Sequence, residues 1–425
     1  MPAYTVFVCW VCLWCCQSSA FLLGLALGIY GLTQAIFQIP LGLLSDKIGR
    51  RPVILGGLLL FILGSVVAAN ADSAIGVVAG RALQGMGAIA STLMALVTDL
   101  TAEQNRTKAM ASIGGSIGVS FAIAMVLGPV VASNYGMPGI FWLTALLGLI
   151  GILIIFKAIP KTHSIRKNRE TQTDLQQLGT LLCEPSLIRL NIGIFFLHLT
   201  LMAAFVVIPS ILVHQLSINP DQLWWVYLSL LGGGFIAMLP AVILSERRNI
   251  QKQVFVSAVA LMTLAMFVLG SSQSGFIIVL MLFIYFAAFN LLEALLPSWL
   301  SKVCPVGNRG TAMGIYSTCQ FLGTFAGGIL GGWALSTIGT DGVFWLLAFM
   351  LLFWCFVALT MTSPKPLQTL ILHVEKTKTN EFIKSVSNIV GVEDILLIKG
   401  EDLAYIKVNK TLIDLESLQP FLNRK

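Results

Sequence analysis

Two charged side chains fall inside runs that are otherwise apolar, Glu293 and Arg81. Glu293 follows Asn290, precedes Pro297, and lies about nine residues, roughly 13 Å of helix, from Lys302. A carboxyl at that depth can take up a proton when its surroundings are dry and release it when they are wet. It can therefore carry protons or contact a substrate cation, with a structural hydrogen bond as the alternative. Arg81 opens the run Arg81-Ala82-Leu83-Gln84-Gly85-Met86-Gly87-Ala88. A guanidinium in hydrocarbon costs at least about 2.5 kcal/mol, so it must face a cavity, or fasten helices through carbonyls or Gln84. Gln34, Gln38, Asn191 and Asn290 read as polar groups of a substrate cavity, and His198 as a satisfied residue of the bundle rather than a proton site.

The elements that must position these groups follow from composition. Of 425 residues, 57% are hydrophobic and only 11% charged, and the mean hydropathy is +0.88. Such a chain is dissolved in lipid. Apolar runs recur at about 3–18, 20–41, 53–69, 73–98, 108–133, 138–157, 188–213, 222–244, 254–271, 275–300, 311–336 and 341–362, each long enough to cross a core of about 30 Å. Spanning segments must hide their own backbone polar groups, so these twelve are expected to be α-helical.

Net charge is +7, and its placement orients the chain. Lys47, Arg50 and Arg51, Arg106 and Lys108, Arg247, Arg248 and Lys252, and Lys302 and Arg309 occupy alternate turns. Lys161, Arg166, Lys167 and Arg169 crowd the central loop, whereas the intervening turns hold Asp72, Asp221 and Asp341. Basic turns face the cytoplasm, so the central loop and the tail lie there too. The basic excess is topological and implies no nucleic-acid partner.

A phrase recurs after about 200 residues, the mark of a duplicated half. Leu44-Ser45-Asp46-Lys47 is matched by Leu244-Ser245-Glu246-Arg247. Asn105-Arg106 with Ala109-Met110 is matched by Asn308-Arg309 with Ala312-Met313. The copies are unequal: the first keeps Gly42, Asp46, Gly49 and Arg50, and the second has no glycine there. Duplicated hydrophobic halves point to a transporter. The expected domains are an N-terminal six-helix bundle at 1–158, a linker at 159–187, a second bundle at 188–363 and a small domain at 366–425.

The stretch from Gly42 to Ile54 resembles, nearly position for position, the loop signature of the major facilitator superfamily. Arg81 to Ala88 resembles that family's fourth-helix motif, and Gly115, Gly128 and Pro129 partly match its antiporter signature. That last match is incomplete, because Ala124 and Ala132-Ser133 stand where glycines are expected; small residues at this spacing also serve ordinary close helix packing. Over about residues 20–363 the chain resembles the drug:proton antiporter branch. The resemblance implies that Gly42, Asp46, Gly49, Arg50, Arg51 and Asp99 form a conformational latch, with Arg50 able to pair with Asp99. It also implies that Arg81 joins Glu293 in proton coupling. The implied protein sits in a bacterial inner membrane and exports hydrophobic or cationic molecules. Its partners are then a small-molecule substrate, protons and the lipid bilayer, and it needs no cofactor beyond the proton gradient. An importer of a nutrient or metabolite would share the loop, and a non-transporting sensor that uses the tail as its output is a third reading.

Beyond Pro364, Leu370, Leu372 and Val374 alternate as a strand, Phe382, Ile383, Val386 and Ile389 recur at helical spacing, and Gly391 ends that helix. Strands around Ile395–Ile398 and Ala404–Val408 and a last helix through Leu415, Leu418 and Leu422 complete a βαββα order. This is a ferredoxin-like module without its final strand, resembling the one that follows the transporter in a subgroup of the family, and it is expected to contact the cytoplasmic loops. It contains no cysteine, so metal handling is not expected there. Cys9, Cys12, Cys15 and Cys16 lie in a tryptophan-rich apolar run and lack the folded pairs of a zinc site. That run reads as an atypical first span. Gly114-Gly115-Ser116-Ile117-Gly118 mimics a nucleophile elbow but lies within a span, and Asn105-Arg106-Thr107 is a glycosylation pattern on the cytoplasmic side. No catalytic constellation is present, and no enzyme is expected.

Overall fold

Runs this long and apolar can satisfy their backbones only as helices. In the computed structural model they form α1 (Ala20–Ile48), α2 (Arg50–Ala69), α3 (Ala74–Met86), α4 (Ala90–Leu100), α5 (Arg106–Ala158), α6 (Leu175–Cys183), α7 (Pro185–His214), α8 (Leu223–Arg247), α9 (Gln251–Leu269), α10 (Gly275–Val303) and α11 (Arg309–Leu359). The residues described are 20–101, 106–158, 175–219, 222–304, 309–363, 367–373, 386, 389–397, 403–409 and 412–413. Among them, nine stretches are long and apolar enough to cross a bilayer. The expected run at about 3–18 lies outside the described residues.

Two helices are too long for one crossing. α5 has 53 residues and α11 has 51, roughly 80 Å each if straight. Both break at a glycine with positive φ, Gly136 (φ 64°) and Gly339 (φ 71°), so each supplies two spans. These breaks fall about 200 residues apart, as the repeat requires. The fourth span, expected to be continuous over 73–98, is interrupted at 87–89 between α3 and α4. The cause is a backbone crossing: Gly57 and Gly87 lie so close that a Cβ on Gly87 would sit 2.6 Å from the Gly57 carbonyl oxygen.

The repeated turn keeps a serine bond and a positive φ in both copies, although its sequence and length diverge. Ser45 Oγ donates to the Gly42 carbonyl at 2.6 Å and Ser245 Oγ to the Val242 carbonyl at 2.7 Å. Gly49 takes φ 99°, and Asn249, in the matching place, takes φ 53°. The two conformations differ, because Gly49 has ψ 155°, a region open to glycine alone, whereas asparagine is one of the few side chains that tolerate a φ near 53°. Asn249→Val is expected to cost about 1–2 kcal/mol and Asn249→Gly almost nothing, as read from thermal unfolding midpoints in detergent.

Packing sorts the helices into two groups joined by α1 and α11. Ile54, Leu96 and Ile155 cluster at the basic end of the first group, and Ala68, Ala69, Val77, Ala132, Ile140 and Phe141 at the other. That arrangement threads α2 and the second limb of α5 between the two faces that the charges define. In the second group α7 is central, with 78% of its apolar window buried, whereas α8 is peripheral with 17%. Phe255 meets the rings of Trp299 and Trp354 edge-on at the centre of this core. Within the expected linker, α6 forms a helix whose Leu181 is buried against the same core.

In the tail, β1 (Leu367–His373), β2 (Val392–Leu397) and β3 (Leu403–Asn409) form an antiparallel sheet of order β1-β3-β2. Leu370 and Ile395 both register with Ile406. Ala404, Ile406 and Val408 alternate onto one buried face with Val386. Gly391 takes φ 97° before β2. The expected helices through Phe382–Ile389 and Leu415–Leu422 lie outside the described residues, apart from Val386 and Ile389.

Candidate functional site

Midway along the second group, three helices bring polar side chains together. Glu293 comes from α10, His198 from α7 and Gln320 from α11. The Gln320 amide nitrogen is 2.8 Å from His198 Nε2 and donates to Glu293 Oε1 at 3.4 Å. His198 Nε2 is 3.8 Å from Glu293 Oε2. A carboxylate offers only acceptors, so the amide nitrogen is the end of Gln320 that faces the pair. His198 Nε2 then accepts, and the ring proton resides on Nδ1.

That Nδ1 is buried without a hydrogen-bond partner among the described residues, as is Glu293 Oε2. The expectation that His198 is a satisfied bundle residue is therefore corrected: one ring nitrogen is orphaned and the other faces the acid. Leaving a buried donor unmade costs about 1–3 kcal/mol, so this arrangement is poised to change partners. The Glu293 side chain is 39% exposed and that of His198 11%. The carboxylate oxygen that faces the imidazole is buried, so the exposed surface of Glu293 lies on the rest of its side chain. Phe289, one turn before Glu293, sets its ring against the imidazole at 6.0 Å.

Arg81 is built into the first group. It is buried, donates from Nη1 to Gln84 Oε1 at 2.8 Å and from Nε to the Ala26 carbonyl at 3.5 Å. Its guanidinium carbon lies 4.6 Å from the centre of the Tyr30 ring. Gln84 Nε2 donates to Ser65 Oγ at 2.7 Å, and Thr144 Oγ1 lies 3.2 Å from the same oxygen. A chain of hydrogen bonds thus ties α1, α2, α3 and α5 together around the charge. Gln84→Leu removes a charge-assisted bond and is expected to lower stability by about 1–3 kcal/mol, seen as a lower unfolding midpoint in detergent.

The loop between α1 and α2 is held from within. Arg50 is buried and its Nη1 donates to Ser45 Oγ at 2.6 Å, which links it to the Gly42 carbonyl. Arg51 Nη2 donates to the Phe156 carbonyl at 3.1 Å, with its guanidinium 5.2 Å from that ring. Arg51 thus caps the end of α5 in its own bundle. The side chains of Asp46 and Asp99 lie outside the described residues, and with them the expected Arg50–Asp99 pair. On α5, Gly128 is buried, whereas the surroundings of Gly115 and the side chain of Pro129 are not among those described.

The expected cavity groups divide. Gln34 Oε1, Gln38 Oε1 and Asn191 Oδ1 are buried without partners among the described residues, while Asn290 Nδ2 donates across to the Leu231 carbonyl at 3.4 Å. Sequence reasoning passed over Gln320 and Tyr316. They stand four residues apart on one face of α11, and the buried Tyr316 lies within reach of the charge of Glu293. A polar pair at helical spacing inside an apolar run was the available signal.

α1 and α11 meet along a glycine seam. Gly24 and Gly328 touch backbone to backbone. A Cβ on Gly28 would lie 2.8 Å from the Phe325 carbonyl oxygen, and one on Gly31 2.7 Å from that of Phe321. Gly332 reaches the Ala20 carbonyl. These contacts run over 20–31 and 321–332, the halves of both helices remote from the basic turns. The seam closes the outer side between the two bundles.

Comparison with known proteins agrees with this architecture. The sequence profile of the Major Facilitator Superfamily matches residues 17–197 and 190–397. The inner membrane transport protein YajR of Escherichia coli is 45% identical over 395 residues, covering 92% of this chain and 87% of that protein. The class B tetracycline resistance protein of Escherichia coli is 29% identical over 157 residues, 36% of this chain and 38% of its own. Among solved structures, the human organic anion transporter MFSD10 (TETRAN) superposes with a TM-score of 0.60 at 22% identity, covering 79% of this chain and 84% of that one. This last likeness concerns the fold alone.

Proposed function

The chain belongs to the Major Facilitator Superfamily and is a multi-pass membrane transporter, and from that premise we propose that it exports hydrophobic or cationic small molecules in exchange for protons. The observation that carries this reading is the cluster of Glu293, His198 and Gln320, a partly exposed acid beside an imidazole with one nitrogen unpaired among the described residues. Such a pair can hold a proton on one side of the membrane and lose it on the other as the bundles rock about the midplane. The Phe289 ring against the imidazole gives the site an apolar wall that suits a ligand with apolar surface and positive charge. Partial likeness to a tetracycline resistance protein supports export. The basic turns put the linker and tail on the cytoplasmic side of an inner membrane. On this reading Arg81 holds α1 in place for coupling, the loop from Gly42 to Arg51 with Asp99 acts as the inner latch, and the tail is a ferredoxin-like module that contacts the cytoplasmic loops.

Everted vesicles with an acid interior, loaded with the transporter and given a fluorescent cationic dye, test the direction. Accumulation of dye that collapses when the pH gradient is dissipated is expected. Accumulation of a solute only in right-side-out vesicles would instead make the protein an importer.

A further inference from the structure

Gln320 stands between the acid cluster and the outer seam, and both ends of that connection are visible. Its amide nitrogen bridges His198 Nε2 and Glu293 Oε1. Its backbone carbonyl accepts from Thr324 Oγ1 at 3.1 Å, and Thr324 lies against Gly31, where an added Cβ would be 3.2 Å away. We propose that Gln320 is the positioning residue that transmits the proton occupancy of the His198–Glu293 pair to the seam between α1 and α11. The proposal rests on the proton-site reading above.

The bridge is specific to one protonation state. An amide nitrogen has two hydrogens and no acceptor, so it can hold both partners only while Nε2 and Oε1 carry no proton. A proton that arrives from the aqueous side and binds Nε2 turns the ring nitrogen into a second donor. Two donors then face each other and the bridge opens. The new N–H turns to Glu293 Oε2, 3.8 Å away and otherwise unpaired, and the imidazolium charge neutralises the carboxylate. When the proton leaves, the bridge re-forms.

What Gln320 does next is set by two faces of α11. On one face Gly323 and Gly327 touch the backbone of α7 at Phe195 and Leu199, and a Cβ on Gly331 would lie 2.8 Å from Ala203 Cα. α7 also carries His198, so the bridge lies along this close contact. On the other face Gly328 and Gly332 meet α1. A change at Gln320 therefore reaches the seam through Thr324, one turn away against Gly31. Breaking the bridge thus loosens the outer closure, and re-forming it as the proton is released inward restores that closure.

Other titratable or charged side chains on the packed elements are Arg309, Tyr316, Cys319, Asp341 and Cys355 on α11, Tyr285 and Lys302 on α10, Arg189 and His214 on α7, and Tyr30, Asp46 and Lys47 on α1. Of these, Tyr316 lies within reach of the charge of Glu293, and Tyr30 faces Arg81.

The test uses the full chain in nanodiscs, with spin labels on Phe21→Cys and Ser336→Cys at the outer ends of α1 and α11 and the native cysteines replaced by serine. Lowering the pH from about 8 to about 5, the range in which imidazole ordinarily titrates, should lengthen the distance in the otherwise unaltered protein. Gln320→Leu should remove that shift, and Gln320→Asn, which keeps the donor on a shorter arm, should restore part of it. A Gln320→Leu protein that shifts as fully as its parent overturns the proposal. A His198→Gln protein that still shifts fully overturns the proton-site reading itself, a separate outcome. If the Leu variant does not fold, Gln320→Met, closer in shape, takes its place.

Discussion

Glu293→Gln is expected to reduce proton-driven transport about 100-fold or more, the upper range of a coupling free energy between two sites. The amide has the same shape as the carboxyl and its oxygen can still accept from Gln320, so the helices keep their packing. It cannot bind and release a proton, however, and the imidazole loses its counter-charge. Exchange of labelled for unlabelled substrate with no gradient should survive, because that half-cycle needs the cavity and the rocking motion but no net proton movement. Loss of exchange and drive together would make Glu293 a substrate-binding or structural residue. Retention of both would remove it from the site.

The second large effect concerns the seam. Gly328→Leu places a branched side chain where α11 lies backbone to backbone on Gly24 and Gly28 of α1. Neither backbone can yield locally, so the outer ends must part. Overpacking of this kind costs about 1–3 kcal/mol, and because the cost applies to the closed form alone, about 2 kcal/mol shifts the closed-to-open ratio roughly 30-fold. The distance between labels at the outer ends of α1 and α11 should lengthen at every pH. Gly327→Leu is the contrasting substitution: it strikes α7 within the same bundle, so it should lower the unfolding midpoint without changing which side is open. Equal effects of the two on the distance would mean that the seam has no gating role. Gly332→Ala offers a gentler version if the Leu variant is lost.

Much of the architecture was legible because hydrophobic length leaves helices few alternatives. The expected spans from the second to the twelfth all fall on described helices, and alternating charges ordered their ends. The break at 87–89 was not legible: Gly87 reads as an ordinary small residue until α2 is known to bring Gly57 against it. Asn249 was overlooked for a related reason, since the second copy has no glycine there, yet the backbone takes a positive φ with a different residue. Within the site, Glu293 announced itself by the cost of burying a charge. Gln320 did not, because an uncharged amide in a span is unremarkable until two acceptors from other helices converge on it. His198 was set aside on similar grounds, and only its unpaired Nδ1 and its distance from Glu293 give it a role. Rotation of a helix about its axis decides such meetings, and one sequence does not fix that rotation.

Proton counterflow is the most direct measurement of the central claim. Proteoliposomes loaded with a cationic substrate and a pH-sensitive dye, then diluted into substrate-free buffer without an imposed pH gradient, should acidify inside as substrate leaves, and Glu293→Gln liposomes should not. Alkalinisation, with protons leaving alongside the substrate, or substrate efflux with no proton movement at all, would contradict proton-coupled exchange.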